Sequence, residues 1–182
     1  VEPDEMQNTF VWLDSFQVNH DFLNQSEVKD SDVYYFQHSY FWGLWGGLQQ
    51  AVAKSAAKYK AQHPGKGIKL WYIPNGWIHG TLYFNEFDPQ FAETFYNGSW
   101  FSGVSQKEIL KGIKCPSVYI KAATLYGKDG VLYAANTDED ANLVHSLAQG
   151  NEMITIKSVH DIHFEHSKEF VQIMKNVLAE IK

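Results

Sequence analysis

Residues 114 to 170 constrain the fold most, because they hold two successive strand-loop-helix units. In the first, Pro116 launches a short β-branched and aromatic strand, Ser117 to Ala122, and a long loop follows. The next helix opens with Thr137-Asp138-Glu139-Asp140, a capping-box-like pattern with acids in its first turn. It carries Leu143, Val144, Leu147 and Ala148 and stops at Gly150. The second unit repeats the plan. Glu152 to Ser158 alternates as a strand and Val159 to His166 (VHDIHFEH) reads as a loop. Ser167 then caps a helix with Phe170, Ile173, Met174, Val177, Leu178 and Ile181 on one face. A helix between successive strands argues a parallel sheet, and open parallel sheets place their chemistry in loops just past the strands' carboxyl ends. Both loops here are rich in ionisable side chains and lie at such ends.

These residues also carry a resemblance. Ile113-Lys114-Cys115-Pro116-Ser117-Val118 and Ser158-Val159-His160-Asp161-Ile162-His163-Phe164-Glu165 resemble the last two strand-loop segments of the α/β-hydrolase family. There the loop after the penultimate strand offers an acid, and the turn after the final strand offers a catalytic histidine. Val159 departs from the family's usual Gly. The resemblance implies an α/β fold, the C-terminal part of an α/β-hydrolase core over 98–182, preceded by a mainly helical cap over 1–97. It also implies His160 as the base and an acid that orients it, with His163 as a supporting residue packed under the turn. Asp129 is the favoured acid, seven positions past the strand, whereas Asp138 and Asp140 already have a capping role. Lys128-Asp129-Gly130 can equally be a plain turn, since Asp-Gly is a common turn dipeptide.

The nucleophile such chemistry needs is missing from the sequence. No Gly-x-Ser-x-Gly occurs. Ser105, in Gly103-Val104-Ser105, is better explained as a helix N-cap with Glu108 completing the box. His79-Gly80 matches an oxyanion-hole pair only in isolation. The expectation is therefore a C-terminal portion of a serine-type hydrolase, esterase- or lipase-like, inert by itself and prone to self-associate through an exposed sheet edge or its cap helices. Two alternatives stand beside it: a non-catalytic binding protein of hydrolase shape, or a metal-binding module using His160, His163 and His166 with Asp161 and Glu165.

Composition narrows the partners. Aromatic residues are 15% of the chain and most precede residue 102, which suits a cap lining an apolar or aromatic acyl substrate pocket. Tyr40-Phe41-Trp42 with Trp45 is the cluster expected to meet substrate. A net charge of -6 offers no basic stripe for nucleic acid. No cofactor is implied. The single cysteine, Cys115, permits no internal disulfide, and no leader-like or membrane-length apolar run is present, so a cytoplasmic location without a membrane partner is expected.

Upstream, residues from about Asp4 to Leu23 read as a helix, and a second helix carries Leu48, Ala51, Val52, Ser55 and Tyr59 before Pro64-Gly65. Gly43, Gly46 and Gly47 predict a break before it. Lys69 to Ile73 is expected to be extended, and Asp88-Pro89 to start a short helix.

Overall fold

The computed structural model describes residues 6–78, 87–134, 136–158 and 162–180. The described chain divides into two compact units, a helical one over Val11–Trp100 and an α/β one over Phe101 onward. Residues 6–10 group with the α/β unit: Thr9 bridges Leu132 in parallel, the Phe10 amide donates to the Leu132 carbonyl (2.8 Å), and the Leu132 amide donates to the Asn8 carbonyl (3.0 Å).

The helical unit starts with a π-helical turn, Trp12–Phe16, running into α1, Gln17–Leu23. α2, Ser31–His38, is capped by Asp30, whose carboxylate accepts the Val33 amide at 3.0 Å. α3, Tyr40–Gly43, is capped by Ser39, and α4, Gly47–Gln62, follows. The predicted glycine break is there: Gly46 takes φ +54°, a left-handed conformation that costs glycine little, and the two helices separate at that point. α5, Asn75–Ile78, and α6, Pro89–Tyr96, complete the unit, the latter with Pro at its first turn and Asp88 accepting the Gln90 amide. Residues 67–73 form loop and turn instead of the expected extended piece. Phe36, Trp42, Val52, Ala53, Ala56, Ile68, Leu70, Ile73 and Ile78 build the core here.

In the α/β unit, α7, Gln106–Gly112, is capped by Ser105 at the Glu108 amide as its sequence predicts, but the Glu108 carboxylate accepts from Lys111 (2.7 Å) instead of completing the expected box. β1, Ser117–Ala122, and β2, Asn151–Ile156, pair in parallel with Ser117 opposite Asn151 and Ala122 opposite Ile156. α8, Asp138–Leu147, connects them and begins with the full capping box: Thr137 accepts the Asp140 amide while Asp140 accepts the Thr137 amide. The fold is thus mixed helix and strand with a two-stranded parallel sheet among the described residues. β2 ends two residues earlier than the alternation suggests. Ile162–Glu165, expected within a loop, forms one helical turn, α9, before the long α10, Ser167–Glu180.

Candidate functional site

β1 and β2 finish side by side, and a cross-link holds their ends: the Ala123 amide donates to the Ser158 carbonyl at 3.2 Å. The two loops singled out in the sequence therefore start from adjacent points. A cavity of about 150 Å³ opens at this end, lined by residues of β1 together with Ala134, Asn136 and Ile162.

The first loop folds back on itself. Tyr126 bridges Leu132 in antiparallel fashion, the Gly127 amide donates to the Val131 carbonyl, and the Tyr133 amide donates to the Leu125 carbonyl. Lys128-Asp129-Gly130 is the tip of this small hairpin, with Gly130 at φ +82°. Asp129 is exposed and its Oδ1 accepts the Val131 amide at 3.2 Å, so the plain-turn reading of this tripeptide describes its geometry. The carboxylate lies over Gly127, where a Cβ would come within 2.5 Å of Asp129 Oδ1 and 2.8 Å of the Tyr133 hydroxyl. Glycine is needed there for the close approach.

The other two acids of this region have structural partners. Lys121, only 4% exposed, donates to the Ala122 carbonyl (2.7 Å) and to Thr124 Oγ1 (2.8 Å), and pairs with Asp138 Oδ1 at 3.2 Å. All three ammonium protons are thereby used, which is how a buried cation is tolerated. Thr124 also donates to Asp138 at 2.7 Å, and the Thr124 and Lys121 hydrogen bonds hold that carboxyl below the usual range. Asp140 belongs to the capping box; partial burial opposes its ionisation and the Thr137 bonds favour it, and its pKa lies below the usual value.

Ser158 and α9 flank the second loop in sequence. Ser158, 7% exposed, donates from Oγ to Glu165 Oε2 at 2.6 Å, tying the end of the strand to α9. His160 and Asp161 lie outside the described residues, as do Val159, His79 and Gly80. His163 is exposed beside Phe164 (ring centroids 4.2 Å) and Phe170 (6.2 Å); the expectation that its ring packs beneath the turn is corrected, because the helical turn α9 carries it outward. Among the described residues no group of three or more His, Cys, Asp or Glu side chains is placed to hold a metal.

The aromatic cluster proposed to meet substrate divides. Trp42 is fully buried in the helical core, so its place in an exposed cluster is corrected: its ring packs on Phe36 (centroids 5.4 Å) among the core residues. Tyr40 and Phe41 are half-buried. Trp45, 48% exposed, lies against Trp77 at 5.1 Å, and Phe41 meets Trp77 edge-on at 5.7 Å. Trp77 was missed in the sequence because nothing local separates it from a loop residue.

Sequence reasoning also missed two buried ionic clusters in the helical unit. Asp14, on the π-helical turn, accepts the Tyr35 hydroxyl (2.6 Å) and the Phe41 amide (2.7 Å), and burial raises its pKa despite those bonds. Burial, followed by the Asp14 charge, pushes the Tyr35 hydroxyl far above its ordinary range. Lys60 pairs with Asp32 and with Asp30 (2.9 Å). Among the described residues no helix is long and apolar enough to cross a membrane. Neither a protein-family profile nor a curated protein matches the chain.

Proposed function

We propose that this chain is the C-terminal portion of a serine-type α/β-hydrolase acting on neutral acyl compounds, with His160 as general base and Asp129 as the acid that orients it. The observation that carries the proposal is the sheet: two in-register parallel strands joined through a helix, with both candidate loops leaving from neighbouring strand ends. Chemistry in such sheets collects at that edge. Asp138 and Asp140 are committed to Lys121, Thr124 and the α8 cap, which favours Asp129 among the acids of its loop. The Ser158–Glu165 bond joins two residues that flank the His160 position in sequence.

The packing of the α/β unit supports its being part of a larger core. Its buried apolar residues are chiefly Val131, Leu132, Ala134, Ala141, Ala148, Ile156 and Ile173. Phe164, Leu178, Ile109, Val171 and Met174 stay exposed. Parallel sheets are ordinarily covered on both faces and have more than two strands. A serine nucleophile and oxyanion donors then belong to sequence preceding Val1. The acyl substrate is neutral in this reading.

The test begins with the coding sequence upstream of Val1, where a strand followed by Gly-x-Ser-x-Gly is expected. The complete polypeptide should cleave short aryl or alkyl esters and be labelled by a fluorophosphonate. In that protein His160→Ala should lower turnover by about 10⁴-fold with the fold retained. Asp129→Asn should do so more strongly than Asp138→Asn. Absence of an upstream elbow, or full activity in His160→Ala, would refute the proposal.

A further inference from the structure

The helical unit holds a cavity of about 540 Å³, between the π-helical turn with α1, the start of α2, and the start of α6. Small-molecule sites are clefts in this size range. Two further observations set the cavity apart from loose packing. Its wall contains the π-helical turn, which supplies Ser15 and Phe16. Such turns are rare and gather at functional sites, because widening the helix costs backbone energy that ordinary packing does not require. The lining is also uncharged: Phe16, Phe22, Tyr34 and Phe87 provide rings, and the polar groups are hydroxyls and one amide.

Two carboxylates near the cavity are engaged by other groups. Asp14 is held by Tyr35 and Phe41, and Glu93 accepts from or pairs with His20 at 2.9 Å. Asn19 lines the cavity and donates to the Pro89 carbonyl at 2.9 Å, bracing α1 against the start of α6 across one side of it. Its amide oxygen has no hydrogen bond among the described residues, and neither has the Ser15 hydroxyl.

We infer that this cavity is a binding site for a neutral amphiphile, an aliphatic or aromatic molecule bearing a single hydroxyl or carbonyl group, held by the rings and oriented by Ser15 and Asn19. A charged headgroup finds no partner in the lining and would lose its hydration on binding. The site lies wholly within the helical unit and is separate from the proposed base and acid, so it stands or falls independently of the hydrolase reading.

The neutral dye N-phenyl-1-naphthylamine, titrated into the full chain, should bind saturably with one equivalent per molecule and brighten as it enters the apolar cavity. 1-Decanol should displace it at concentrations at least about tenfold below those needed for decylammonium or decanoate, since burying an unpaired charge is costly. Ser15→Trp, at an exposed rim position, should weaken dye binding by about tenfold or more by filling the opening, with helicity by circular dichroism unchanged. Val11→Trp, also at the rim, serves as the second blocking variant where Ser15→Trp fails to fold. Trp71→Ala, at a 96% exposed position outside the cavity lining, should leave affinity unaltered. Unchanged binding in a folded rim variant, equal competition by decylammonium, or loss of binding in Trp71→Ala would each overturn the inference.

Discussion

Replacing Lys60 with Met tests the energetic account of the helical unit. Asp32 is 1% exposed and pairs with the Lys60 ammonium, and its Oδ1 has no hydrogen-bond partner among the described residues. Asp30 also pairs with Lys60 but is 38% exposed, so that second contact is worth at most about 1 kcal/mol. The methionine keeps roughly the length of the lysine stem and removes the ammonium with its charge and its donors, leaving Asp32 buried without compensation. Removing one partner of a buried pair costs about 3–5 kcal/mol. With a urea slope of about 2 kcal/mol per molar, the unfolding midpoint should fall by roughly 2 M. All six tryptophans lie between Trp12 and Trp100, so indole fluorescence reports this unit alone.

The pH dependence has a definite sign. Burial raises the Asp32 pKa above 3.8 even though Lys60 lowers it, and the Met variant removes that restraint. A carboxyl raised in the folded state contributes stability that is fully present below 3.8 and lost as pH rises through the folded value. The deficit of Lys60→Met should therefore be greatest near neutrality and shrink on acidification, and Asp32→Leu added to Lys60→Met should recover most of it. A loss under about 1 kcal/mol at neutral pH, or a deficit that does not move with pH, would refute the reasoning.

Tyr35→Phe removes the hydroxyl that Asp14 accepts and should cost about 1–3 kcal/mol by the same fluorescence assay, more at neutral than at acidic pH because burial raises the Asp14 pKa. Thr137→Ala breaks the α8 capping box and should destabilise the α/β unit by about 0.5–2 kcal/mol, read as faster amide exchange in α8. Asp138 has the opposite pH sign to Asp32: its lowered pKa supports the fold above 3.8 and that support disappears as pH falls through the folded value, so Asp138→Asn should flatten the acid limb of α/β-unit stability. Gly127→Ala should displace the Asp129 carboxylate and, on the hydrolase proposal, lower kcat while leaving β1–β2 amide protection intact.

The legible parts of the sequence were those written in local rules. The Thr137 box, the Ser105 cap, the Asp88-Pro89 helix start and the Gly46 break each depend on a few adjacent residues and occur where the pattern puts them. β1 was legible for the same reason, through its β-branched run behind Pro116. The inward turn of Trp42 was not, because exposure of an aromatic residue depends on the angle between two helices, which the glycines permit without specifying. The pairs Asp14–Tyr35 and Asp32–Lys60 join residues 21 and 28 positions apart, and no spacing rule of one helix reaches that far. Asp129 illustrates both sides. Its turn was readable from Asp-Gly, whereas the hairpin that presents it rests on Tyr126–Leu132 and Thr9–Leu132 bridges set by tertiary placement.

The two units differ in what they bury. The helical unit buries Phe36 and Trp42 completely and surrounds them with Val52, Ala53, Ala56 and Ile68, while Trp71 at 96% and Leu44 at 52% exposure stay outside. The α/β unit buries only alanines and a few aliphatics, and Phe164 at 76%, Leu178 at 60% and Ile109 at 58% exposure face outward. α10 shows the contrast within one element, since Ile173 is buried while Val171, Met174 and Leu178 are not. Stability rises with the apolar area removed from water, and a two-stranded sheet with small buried residues removes little of it. The same unit nevertheless carries the most closely specified polar geometry near the proposed chemistry, in Lys121–Asp138–Thr124 and Ser158–Glu165. Local polar order in a unit whose apolar faces remain uncovered is what a site needs when the rest of its core comes from another part of the polypeptide or from a second copy, and this is why the hydrolase proposal and an expectation of self-association rest on the same packing.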